Sequence, residues 1–140
     1  MGIAEKGRIQ RALGVAGLVA SEAHVTATAR ATGATDSVIP DYVNARVTVT
    51  ARATDANDWI VLPAAVAGRQ VTGYSAVAHE LRTPASSGVK INDVVGDGTQ
   101  EAAIAATTFW VAYCTGATTG WVLRAWSKLG APLTAIIPDA

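Results

Sequence analysis

From Ala23 onward, apolar and polar residues take turns along the chain. In AHVTATARA, His24, Thr26, Thr28 and Arg30 fall on one side, and Val25, Ala27 and Ala29 on the other. RVTVTARA repeats the pattern. Val47, Val49 and Ala51 face one way, and Arg46, Thr48, Thr50 and Arg52 the other. A period of two is the side-chain period of a strand, and a strand with one apolar side predicts an antiparallel sheet with one covered face. WIVLP is a continuous apolar run closed by Pro63. Further strands are expected over 69–77, 79–83, 89–92, 101–106, 107–114 and 120–126, and the TDAND, SSG, GDG and TGATTG segments supply turns. About eight or nine strands at intervals of about 8–12 residues predict an all-β fold, a jelly-roll-like antiparallel β-sandwich.

Residues 1–22 follow a different pattern. Ile9, Leu13 and Ala16 could share a helix face, but Gly7, Gly14 and Gly17 weaken it, so the segment is expected to be an N-terminal arm. Residues 23–140 then form the sandwich domain with a short C-terminal tail. That tail, LGAPLTAIIPDA, carries an apolar run closed by Pro138 and is expected to add an edge strand or to dock on a neighbour. Lys6, Arg8 and Arg11 precede the apolar run Ala12–Ala20, in the order of a secretory signal. The run is well short of the ~20 residues that span a bilayer, and no membrane partner is expected.

The chain has 140 residues, enough for one domain. Charged residues are 16% of it, below the ~25% of an ordinary globular domain, which suits a subunit whose surface is covered in an assembly. Formal net charge is zero, from 11 basic and 11 acidic residues without like-charge runs, so no nucleic-acid partner is expected. A lone Cys114 excludes an internal disulfide and a cysteine zinc site, and its apolar setting predicts a buried, unreactive thiol.

Catalytic constellations are sparse. His24 and His79 are the only histidines, and HELRT is not HExxH. Asp93, Asp97 and Glu101 are spaced too widely for a calcium loop, and Asp97-Gly98 reads as a turn. Ser86 and Ser87 precede Gly88 without a GxSxG elbow, and no GxxxxGK loop is present. The expectation is a non-enzyme with no cofactor and no metal. The tryptophans are better candidates for function. Trp59 opens an apolar strand and Trp110 alternates with Phe109 and Val111. Trp121 and Trp126 fall on opposite faces of one strand, so at least one should lie outside the domain's own core.

Three segments carry a family resemblance: WIVLPAAVAGRQVTGYSA, VKINDVVGDG and ATTFWVAYCTGATTGWVLRAW. Together they resemble a β-module of tailed-phage virion proteins, over about residues 57–126. Size and compactness are most similar to the capsid cement, or decoration, proteins of tailed bacteriophages. VTGYSAV departs from the Asn-Ala-Gly turn more usual there, and the leader has no counterpart in the short module. The resemblance implies a jelly-roll structural protein on the outer capsid surface of the virion. It would cement neighbouring subunits of the major capsid protein, which would have the coat fold of tailed phages. Binding only the assembled shell would stabilise it by mass action. Self-association is expected, as a two-fold homodimer or else a trimer. Exposed-apolar logic makes Ile3, Ile9 and Leu13 candidates for coat-protein contact, and Trp121, Trp126, Ile136 and Ile137 candidates for either interface. The alternatives are a tail-fibre or receptor/carbohydrate-binding domain, and a jelly-roll enzyme that would need a metal or an acid pair.

Overall fold

The computed structural model describes residues 22–32, 34–84, 87–92 and 101–133. Within them the chain is mostly β: β1 (Glu22–Ala29), β2 (Asn44–Arg52), β3 (Trp59–Val61), β4 (Gln70–Ser75), β5 (His79–Arg82), β6 (Glu101–Ile104), β7 (Thr108–Gly116) and β8 (Gly120–Ser127), with one 3-10 turn at Thr35–Ser37. Two sheets form, a five-stranded one in the order β1-β2-β4-β7-β8 and a three-stranded one in the order β3-β5-β6.

Both sheets are mixed, which corrects the antiparallel expectation. β1 runs parallel to β2, β2 to β4, and β3 to β5. β4–β7, β7–β8 and β5–β6 are antiparallel. Alternation along β2 reports one covered face correctly, but it says nothing about neighbour direction. Parallel neighbours need a crossover connection. Residues 53–69 provide one by passing through β3 in the other sheet before β4 returns beside β2.

One core lies between the sheets. Val47, Val49, Val71, Trp110, Ala112 and Leu123 come from the large sheet, and Ile60, Leu81, Ala102 and Ile104 from the small one. Trp110 is fully buried, and Gly73 makes room for it. The two are cross-strand partners, and a Cβ on Gly73 would stand 2.1 Å from the indole. A side chain at Gly73 is therefore incompatible with this packing.

Local departures from the alternation have visible causes. The β1–β2 register slips between Ala27 and Thr28, which pair with Val49 and Ala51, so Thr50 is an extra residue in β2 and Ala51 is exposed rather than on the core face. Residues 89–92 form no strand. Ile91 makes a single bridge to Trp121, and the Trp121 amide donates to the Lys90 carbonyl. That crossing passes over Gly120, whose φ is +81° and whose Cβ would meet the Lys90 oxygen at 2.2 Å. Farther along β8, the Ser127 amide donates to Ala131 and the Leu133 amide to Ala125. The tail thus begins along the β8 edge as a single antiparallel bridge, Trp126 to Pro132. Residues 1–21, which hold nearly all of the expected arm, and the end of the tail lie outside the described residues.

Candidate binding face

The outer face of the five-stranded sheet is built in cross-strand rows. One row reads Thr26, Thr48, Tyr74, Phe109, Trp126 from β1 to β8. The next reads His24, Arg46, Thr72, Val111, Arg124, and a third includes Asn44, Gln70, Tyr113 and Val122. Polar residues fill the β1–β2 half, where His24 Nε2 lies 2.9 Å from Thr48 Oγ1. Aromatic and aliphatic residues fill the β7–β8 half. Phe109 is 41% exposed and Tyr113 46%, and Val122 is exposed beside them. Phe109 and Trp126 pack at 6.0 Å between ring centroids with a 44° tilt. A rigid sheet thus holds a contiguous apolar surface facing outward.

Arg46 and Arg124 stand on this face without an ion-pair partner among the described residues. Three other guanidiniums are neutralised, Arg30 by Asp36, Arg69 by Asp41, and Arg82 by Glu80 and Glu101, while Arg52 donates to the Ala78 carbonyl.

The outer side of the small sheet makes the contrast plain. Register places Trp59 beside Glu80, and Arg82 beside Val61 and Glu101. Arg82 reaches Glu80 at 2.6 Å and Glu101 at 2.7 Å, and its guanidinium lies 4.0 Å from the centroid of the Trp59 ring. Glu80 is buried beneath this cluster. Cation–π stacking and two charge-assisted bonds use up the cation within the chain.

A buried serine and histidine also meet, in the arrangement a nucleophile and base would have. Ser75 Oγ lies 2.7 Å from His79 Nε2, and His79 Nδ1 lies 2.8 Å from the Glu80 carbonyl oxygen. A carbonyl only accepts, so Nδ1 carries the proton and Nε2 accepts from the Ser75 hydroxyl. Trp110 Nε1 donates to the same Ser75 oxygen at 3.0 Å. The chain Trp110–Ser75–His79–Glu80 therefore ties the two sheets together. Burial lowers the His79 pKa to about 4, so the ring is neutral near pH 7. A depression of about 340 Å³ is lined by His79 and Glu80 together with Ala56, Asn57 and Ala103; Ser75 is not part of its lining, and both Ser75 and His79 are buried. Ser75 is fully buried, and its hydroxyl joins the two sheets through its bonds with His79 and Trp110.

Of the residues expected at interfaces, Trp126 lies half-buried on the outer face, joined to Phe109. Trp121 is corrected: it is 1% exposed and belongs to the core, because its strand position turns it inward. Ile3, Ile9, Leu13, Ile136 and Ile137 lie outside the described residues, as do Asp93 and Asp97. Glu101 pairs with Arg82. Cys114 is buried, as expected. Phe109, Tyr113, Val122, Arg46 and Arg124 were not picked out by sequence reasoning. The available signal was β7 itself, where Trp110, Ala112 and Cys114 alternate with Phe109, Val111 and Tyr113, so that both faces are largely apolar. The chain matches no protein-family model, no curated protein and no solved structure.

Proposed function

We propose that this is a structural virion protein that binds the outer surface of an icosahedral phage capsid and cements neighbouring subunits of the major capsid protein. It acts by binding, without catalysis, cofactor or metal. The observation that carries this reading is the exposed aromatic and aliphatic face of the five-stranded sheet. The sequence resemblance over residues 57–126 supplies the partner. Jelly-roll kinship rests on that resemblance alone.

Cementing adds contact area that exists only while the shell is closed, so it stabilises the assembled state. Copy number in purified virions, measured against the major capsid protein, tests it. Near-stoichiometric copies, together with shells that burst more readily when the protein is absent, are expected. Absence from particles would overturn the proposal.

A second reading is a tail-fibre or receptor domain that binds carbohydrate through the same aromatic residues. The exposed Tyr113 ring favours it, since flat rings stack on sugars. The mutual tilt of Phe109 and Trp126 gives no coplanar platform. A few copies per particle, with tryptophan fluorescence quenched by glycan, would select this reading over cementing.

A further inference from the structure

We infer that the outer face of the five-stranded sheet docks on a protein surface that carries carboxylates around an apolar centre, and not on a second copy of this chain. The inference rests on the cementing proposal and specifies the chemistry of the capsid surface that the face meets.

Charge carries the argument. Arg46 on β2 and Arg124 on β8 belong to one cross-strand row, with Thr72 and Val111 between them. Three strand spacings put their Cα atoms about 14 Å apart. The apolar rows lie on either side: Tyr74, Phe109 and Trp126 on one, Tyr113 and Val122 on the other. Both arginines are exposed, and neither has an ion-pair partner among the described residues. No Asp or Glu occurs anywhere in β2, β4, β7 or β8. The nearest acid in the sheet is Glu22 at the start of β1, in register with Asn44 at the polar end.

Two copies meeting on this face would therefore bring four guanidiniums together, two from each, against an apolar centre that excludes water. Like charges opposed in a desolvated interface are strongly unfavourable. A partner with two carboxylates at matching separation converts both arginines into charge-assisted pairs, and its apolar centre covers Phe109, Tyr113 and Val122. Trp, Tyr and Arg are the residues most enriched among those that dominate binding energy. The zero net charge of the chain does not conflict with this, because none of its acids belongs to β2, β4, β7 or β8. Any homodimer would form through another surface.

The test uses the full chain and capsid shells stripped of it. Wild-type protein is titrated onto shells at low and high salt, beside Arg46→Glu, Arg124→Glu and the corresponding lysine variants. Circular dichroism and thermal melting check folding, and glutamine variants replace any reversal that does not fold. The expected result is binding that weakens with salt, at least about tenfold weaker for each reversal and largely retained by lysine. If wild type binds but reversals and salt change nothing, the inference is overturned and the cementing proposal stands. If wild type does not bind stripped shells, both are overturned. A parallel titration with alginate, a carboxylated polysaccharide, separates the other source of carboxylates. Saturable binding there, lost on reversal and absent on shells, would assign the face to an acidic glycan and overturn the inference.

Discussion

The inner and outer faces of the five-stranded sheet come from the same strands, one residue out of step, and they use aromatic residues in opposite ways. On β7, Trp110 points inward, lies over Gly73 and gives its N–H to Ser75. Its neighbour Phe109 points outward against Trp126 with much of its surface in water. On β8, Trp121 is buried and Trp126, five residues on, faces out. Both inner tryptophans of these strands are buried in the core. The outer aromatics close no gap within the described chain. Folding therefore accounts for the first set, and the second is what the proposed docking would cover.

This difference is sharpest at adjacent residues of β7. Trp110→Ala removes a fully buried indole and its bond to Ser75, and should cost about 3–5 kcal/mol in urea unfolding. Phe109→Ala should cost about 1 kcal/mol, the worth of an aromatic pair on a wet surface, while weakening binding to shells. Equal losses of stability at the two positions would break the comparison.

The inner face should also respond to acid. His79 is held neutral with a pKa of about 4, against 6.5 for a free histidine. Between those values the unfolded chain binds the proton that the folded chain refuses. Stability is thus fully present above pH 6.5 and falls as pH drops toward 4, by about 3 kcal/mol in all. Unfolding curves across this range should show the loss, and His79→Gln should flatten it.

The arginines extend the comparison to the small sheet. Arg82→Ala leaves Glu80 buried without this cation and should cost about 2–3 kcal/mol, less than a fully buried pair because Arg82 is partly exposed. Arg124→Ala should change stability by no more than about 0.5 kcal/mol. Denaturant midpoints for the two variants decide this.

The smallest effect separates the two buried tryptophans. Trp121 Nε1 has no hydrogen-bond partner among the described residues, whereas Trp110 Nε1 has Ser75. Trp121→Phe should therefore be milder than Trp110→Phe by about 1 kcal/mol in the same unfolding assay.

Much of this division was legible in the residues. Alternation in 46–49 and 108–114 placed strands and faces, because a period of two is a direct consequence of backbone geometry. The opposite facing of Trp121 and Trp126 followed from their odd separation, although which of them faced inward did not. Strand direction was not legible. It depends on the crossover through β3, and nothing local to β2 records where its neighbours come from. The Ser75–His79 contact was hidden for a related reason: the two residues are four apart in sequence yet belong to different sheets. The candidate face was partly visible in the doubly apolar β7. Its arginines were not, since only the register aligns Arg46 with Arg124 across four strands.

Side-chain footprinting by hydroxyl radicals, on free protein and on protein bound to particles, probes the outer face directly. Docking through this face requires that Phe109, Tyr113 and Trp126 lose reactivity on the particle, while Leu129, 96% exposed on the turn after β8, keeps more of its own. Unchanged labelling of all three aromatics, with protection appearing elsewhere on the chain, would contradict docking through the sheet and move the interface to another surface.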